Sequence, residues 1–182
     1  TIGCDPFEVE FHAYSSTTNV ADSQLTYLWN FNDGTTSSDQ TPTHIYSPEG
    51  TYFPSLTIAL GTCNGFEEMT QSMEVSVLPT PTAGIGFDPP QASIYDPIVW
   101  ILDQSLGADT CKLVIAPGDT INICNLQQNY FDPNSPYTDT VTHYVTQIVT
   151  NSYGCSDTLV RAIDVLPAYI YFAPNSFTPN GD

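Results

Sequence analysis

The run Tyr27-Leu28-Trp29-Asn30-Phe31-Asn32-Asp33-Gly34-Thr35 decides the fold. It reads as a strand entering a turn: Trp29 and Phe31 share one face, and Asn32-Asp33-Gly34 offers the positive φ angles that a tight connection needs. Trp29, in strand register with Phe31, reads as filler of a sandwich core rather than as a sugar-stacking platform with Tyr27.

Outward from this run, Phe7-Glu8-Val9-Glu10-Phe11, Tyr52-Phe53-Pro54-Ser55-Leu56-Thr57-Ile58 and Met73-Glu74-Val75-Ser76-Val77 alternate at period two. Each predicts a strand with one wet face. Ser47-Pro48-Glu49-Gly50 and Cys63-Asn64-Gly65 punctuate them as turns. Every window of helical length is broken by Gly, Pro or β-branched clusters, so no amphipathic helix is expected.

The second half repeats the first in degenerate form. Tyr27–Thr35 aligns with Lys112–Thr120, setting Val114 on Trp29. Tyr52–Cys63 aligns with Tyr144–Cys155, setting Ile148 on Leu56, and Val75–Pro79 aligns with Ile163–Pro167. The expected organisation is one sandwich at 1–79, a Pro-rich linker at 80–82, a second and diverged sandwich at 83–167, and an extended tail at 168–182. The prolines of the connector favour an extended, stiff geometry. Short strands at regular spacing in units of this size predict an all-β chain of two immunoglobulin-like sandwiches.

Twenty acidic residues face two basic ones, Lys112 and Arg161, for a net charge of −18. Nucleic acid is excluded as a ligand, because phosphates are bound by clustered cations, and an anionic membrane surface is disfavoured for the same reason. With 41% hydrophobic residues against 12% charged, the chain is not an acidic disordered tail. No apolar stretch reaches the length of a membrane span, and no signal peptide is visible. Lacking an initiator Met, the sequence reads as a mature or excised segment.

Five cysteines without paired Cys-x-x-Cys knuckles read as disulfides, which places the protein outside the cytosol. Cys111 and Cys124 are symmetric about Pro117-Gly118, so a hairpin turning there would set them opposite each other. Cys4 and Cys63 flank the first copy and could close it. Cys155 is then left over: buried, paired outside the chain, or paired with Cys111 or Cys124 instead.

The run from Tyr27 to Ser37, followed by Pro42-Thr43-His44-Ile45-Tyr46 and Gly50-Thr51-Tyr52, resembles the signature of the polycystic-kidney-disease (PKD) domain family. That pattern has a Trp-x-Phe-Gly-Asp-Gly turn, then Pro-x-His-x-Tyr and Gly-x-Tyr. Here Asn32 replaces the first glycine of the turn, a conformation Asn tolerates better than most residues. The second copy, with Val114 at the tryptophan position, looks like a diverged unit. Tyr171 to Asp182 is similar to the opening of the gliding-motility-associated C-terminal domain of Bacteroidota surface proteins, a sorting domain of the type IX secretion system. Together these resemblances imply a secreted, cell-surface or filament-associated protein.

No paired carboxylates stand near a nucleophile, and no Gly-x-Ser-x-Gly, His-Glu-x-x-His or phosphate loop occurs, so no enzyme is expected. Among His12, His44 and His143, the resemblance implies a structural turn contact for His44. No cofactor is expected except a candidate calcium ion, for which Asn30, Asn32, Asp33 and Asp39 in the first copy and Asp132, Asn134 and Asp139 in the second supply loop oxygens. The same residues serve equally as Asx turns. Thr120, Thr140 and Thr158 sit in Asp-Thr-apolar triplets resembling the Bacteroidota O-glycosylation acceptor.

Tyr169-Ile170-Tyr171-Phe172 is a β-prone run suited to adding a strand to an open sheet edge. The sequence therefore predicts a non-catalytic extracellular structural module of a bacterial surface or filament-forming protein. Its expected partners are copies of itself or other surface proteins. The alternative is a carbohydrate-binding or adhesion module with glycans as partners.

Overall fold

The computed structural model describes residues 1–14, 25–62, 65–115, 119–129 and 139–167, and every regular element among them is a β-strand. They divide into two compact units. The first comprises Thr1–Pro81 with Asn151–Cys155; the second comprises Thr82–Thr150 and the chain from Ser156 onward.

The first unit holds β1 (Ile2–Cys4), β2 (Phe7–Glu10), β3 (Leu25–Asn30), β4 (Thr36–Ser37), β5 (Thr43–Tyr46), β6 (Gly50–Tyr52), β7 (Ser55–Thr62), β8 (Gly65–Ser72) and β9 (Val75–Leu78). They form sheets in the orders β4-β3-β7-β8, β1-β9-β6 and β2-β5. Alternation explains the layering: Glu8 and Glu10 are exposed while Phe7 and Val9 pack on the core. Trp29, 1% exposed, lies in that core with Phe11, Phe31, Tyr46, Leu56 and Val75. Phe11 is central, its ring centroid 5.0 Å from Trp29 and 5.5 Å from Phe31.

The expected strand over Tyr52–Ile58 is two strands in two sheets. β6 pairs with β9, and β7 pairs with β3 and β8. The break falls at Phe53-Pro54, because proline has no N–H to continue a ladder. Pro54 is fully buried and its carbonyl accepts from Met73 N at 3.0 Å.

The second unit holds β10 (Ile85–Asp88), β11 (Ala92–Ser93), β12 (Ile98–Asp103), β13 (Thr110–Ile115), β14 (Asp119–Ile121), β15 (Leu126–Asn129), β16 (Val141–Thr150) and β17 (Ser156–Leu166). Its sheets run β10-β12-β15 and β11-β17-β16-β13-β14. Val99, Ile101, Leu113, Val145 and Ile163 are the most buried members of its core. Both units pair a short early strand in parallel with the closing strand, β1 with β9 and β11 with β17.

Two expectations are corrected. Val114 is not the counterpart of Trp29: Leu113 and Ile115 are buried on the core face, and Val114, opposite Thr146, takes the other face. The alignment was one residue out of phase, which in a strand exchanges the two faces. Within 80–82, Thr80 Oγ1 donates to Asp5 O at 2.6 Å and Thr82 bridges Leu106. The turn Asn151–Cys155, expected in the second sandwich, belongs to the first unit.

Candidate functional site

The turn after β3 organises the first unit. Asn32 takes φ 66° and Gly34 φ 94°, the left-handed conformations that favour Asn and Gly. Asn30 Oδ1 accepts from Asn32 N at 3.0 Å, and Asn32 Oδ1 accepts from Phe53 N at 3.0 Å. The asparagine that replaces glycine thus fastens the turn to the chain between β6 and β7. Asp33 Oδ1 accepts from Thr35 N at 2.9 Å and from Thr35 Oγ1 at 2.6 Å, an Asx turn with a second hydroxyl bond.

The other Asp33 oxygen, Oδ2, meets His44 Nε2 at 2.6 Å. His44 lies flat on Phe31, with centroids 4.0 Å apart and planes 2° apart, and meets Tyr46 edge-on at 4.7 Å. Partial burial alone would raise the Asp33 pKa, but the Thr35 hydroxyl and amide, then His44, outweigh it and hold the carboxyl down at about 2. Burial, and then the negative Asp33 and Tyr52, push the Tyr46 hydroxyl well above the usual phenol range. Trp29 Nε1 donates to Asp39 O at 3.0 Å.

A Trp-x-Phe strand, an Asn-Asp-Gly turn and a histidine returning to the aspartate form one structural unit. Residues 2–77 match the PKD domain family. The chain resembles the PKD1 domain of the Vibrio cholerae metalloprotease PrtV, at 21% identity and TM-score 0.36, over 48% of this chain and 98% of that one. Clostridium thermocellum CbhA fibronectin(III)-like modules overlap 94% of both chains at 7% identity and TM-score 0.37. Collagenase ColA of Bacillus cereus is 45% identical over 51 residues, 28% of this chain. The chain spans 5% of the length of that curated relative.

In this PKD-type unit, the side-chain oxygens of Asn30, Asn32 and Asp33, expected as calcium ligands, accept from Asn32 N, Phe53 N and Thr35 N. Asp39 Oδ2 accepts from Ser37 Oγ at 3.3 Å, and the Asp39 carbonyl accepts from Trp29 Nε1. Among the described residues no three of His, Cys, Asp and Glu are grouped as metal ligands. Asp139 is exposed, and Asp132 and Asn134 lie outside the described residues. His12 is exposed beside Glu10 and stacks on Tyr14, whereas His143 is in β16, facing Ile163 of β17.

Cys4 is bonded to Cys155, with Cα atoms 5.7 Å apart, and not to Cys63, which lies outside the described residues. The reason is local to the PKD-type unit. Asn151 shapes the 151–155 turn by accepting from Tyr153 N and Cys155 N, and its Nδ2 donates to Pro79 O at 2.7 Å. Cys4, opposite Leu78 in the β1–β9 ladder, stands at that same end. Cys111 is bonded to Cys124, with Cα atoms 5.8 Å apart. The β13–β14 register pairs Leu113 with Ile121, which alone would oppose Cys111 to Ile123, so the chain bends after β14 to present Cys124. Pro117 and Gly118, the expected turn, lie outside the described residues.

Sequence reasoning missed Gln147, which is wholly buried in the second unit. Its Oε1 accepts from Gly84 N at 2.8 Å, and its Nε2 donates to Asp103 Oδ1 at 2.9 Å and lies 3.3 Å from Cys111 Sγ. Burial opposes ionisation of Asp103, but Ser105 and Gln147 prevail and its pKa falls. The signal was present: Gln147 is in phase with the buried Val145 and Val149. Arg161, an exposed residue, donates to Ile85 O with its guanidinium 5.5 Å from the Phe87 ring centroid. Thr120, Thr140 and Thr158 are all exposed, and Tyr169, Ile170, Tyr171 and Phe172 lie outside the described residues.

Proposed function

We propose that this chain is a non-catalytic, extracellular structural module of a bacterial surface protein, a spacer and assembly unit carrying a PKD-type domain. The observation that carries the reading is the Cys4–Cys155 disulfide, which ties the first strand of the PKD-type unit to a turn far along the chain. Such bonds persist in oxidising compartments and suit a module that must survive outside a cell.

Other features support it. The His44–Asp33 pair, with its imidazole packed against Phe31 and Tyr46, serves the turn. The similar stretch in the collagenase is a small share of that protein, as befits an accessory segment. Among the described residues no helix is long and apolar enough to cross a membrane. The finer reading, a type IX secretion substrate of Bacteroidota whose Tyr169–Phe172 run adds a strand to a neighbour, rests on the sequence of the tail. Glycosylation at Thr120, Thr140 or Thr158 fits their exposure. The sugar-stacking alternative built on Trp29 is dropped, because that ring is in the core.

Negative-stain microscopy with light-scattering mass, on the full chain and on a version ending at Pro167, tests assembly. Fibres or defined oligomers from the full chain and monomers from the shortened one are expected. Monomers from both would overturn the assembly role.

A further inference from the structure

β12 carries an unbroken apolar run, Ile98-Val99-Trp100-Ile101-Leu102, in the middle of the β10-β12-β15 sheet. Val99 and Ile101 are wholly buried in the core of the second unit. By strand alternation Ile98, Trp100 and Leu102 take the opposite face, where Trp100 is 48% exposed and Ile98 42% exposed. A half-exposed indole at the centre of a sheet is not required by the core beneath it.

The register sets polar side chains on both sides of that indole. Asp88 of β10 is the cross-strand neighbour of Trp100 on one side and Gln127 of β15 on the other, and both are exposed. Gln104 completes the row. Leu102 pairs with Gly86, and a Cβ on Gly86 would come 2.6 Å from Gln104 Nε2, so the absent side chain gives the Gln104 carboxamide its place on this face.

We propose that this face is a binding platform for a neutral polysaccharide, with one pyranose ring stacked on Trp100. A pyranose has an apolar C–H face and a rim of hydroxyls. The indole supplies the surface for the first. Asp88, Gln127 and Gln104 supply acceptors and donors for the second, on strands ~4.8 Å to either side. A protein partner would favour a broad apolar centre with polar groups at its rim; here the apolar strip is one strand wide and hydrogen-bonding groups flank it directly.

Charge selects among glycans. The chain carries −18, Lys112 is on β13 of the other sheet, and Arg161 points to Ile85 and Phe87. Asp88 sets a carboxylate beside Trp100, so an acidic glycan is repelled and an uncharged one is not. This site is independent of the spacer role, and the two stand or fall separately.

Native gels of the full chain cast with hydroxyethylcellulose, galactomannan or laminarin, with polygalacturonate as the acidic control, test it. At least one neutral polysaccharide should retard the chain, with Trp100→Ala weakening that binding about tenfold and Gln127→Ala several-fold. Both variants should melt with the parent, since neither side chain is in the core. Trp29 and Trp100 are the only tryptophans, and Trp29 is 1% exposed. Acrylamide quenching therefore reports Trp100, and the retarding sugar should protect it. Three results overturn the proposal: retardation by no neutral polysaccharide, equal retardation of Trp100→Ala, or equal binding of polygalacturonate. Self-association of the parent that Trp100→Ala abolishes, without sugar binding, would make the face a protein interface instead.

Discussion

His44 and Asp33, eleven residues apart, meet at 2.6 Å between Nε2 and Oδ2, and the imidazole that makes this contact lies flat on Phe31. The pair closes the PKD-type turn, and the lowered pKa of Asp33 gives that turn a pH response.

Asp33 has a folded pKa of about 2 against its ordinary 3.8. The unfolded chain therefore takes up its proton first as pH falls. The stability due to Asp33 is complete above its unfolded pKa and is lost as pH drops from about 4 to 2. Urea midpoints of the parent and of Asp33→Asn should differ at pH 6 and converge by pH 2; a constant gap would contradict the assignment.

Asn32 combines a left-handed backbone with a bond to Phe53 N. Asn32→Gly should lose only the bond, about 1 kcal/mol. Asn32→Ala should lose a further ~1–2 kcal/mol for a Cβ at positive φ. Denaturant melts ranking glycine above alanine would bear this out, and the reverse order would not.

Trp29 and Trp100 sit at opposite extremes of burial. Trp29→Ala should cost about 3–5 kcal/mol by leaving a cavity among Phe11, Phe31 and Tyr46. Trp100→Ala should stay within about 0.5–1 kcal/mol. Thermal melts of the two variants side by side make the comparison.

Gln147, wholly buried, holds three partners. Gln147→Leu keeps the volume but strands Gly84 N and one Asp103 contact, and should cost about 2–4 kcal/mol. Denaturation of the parent and the variant measures this, and a neutral effect would show that water replaces the carboxamide.

Peptide mapping without reductant should find Cys4 joined to Cys155 and Cys111 joined to Cys124. Trypsin is the wrong tool: cleavage after Lys112 and Arg161 leaves both bridges between the same two fragments. Pepsin at low pH separates them. A Cys4–Cys63 peptide would reverse the pairing described above.

Much of the fold was legible because local signals agreed. Trp29, Phe31 and the Asn32-Asp33-Gly34 turn point to one strand end, and Val75 and Val77 alternate as their burial does. What stayed hidden depended on phase or on distant placement. Ile98–Leu102 is apolar throughout, so periodicity could not say that Trp100 faces outward. Val114 beside Leu113 posed the same ambiguity, and it was resolved to the wrong side. The partner of Cys4 depended on the 151–155 turn belonging to the first unit, which no local pattern reports. Gln147 was readable from its phase with Val145 and Val149, but a polar residue in an apolar register is easily passed over.

The Cys4–Cys155 bond also sets how the chain bears tension. Its two cysteines are 151 residues apart, so a pull applied at Thr1 and beyond Leu166 passes through sulfur and bypasses nearly all of the β-structure between them. The intervening chain, which would otherwise pay out about 500 Å at full extension, is kept from extending, while β17, outside the bridged loop, bears the load. Reduction should turn an almost inextensible tether into a long one, and force spectroscopy with and without a thiol would read that as a change in contour length.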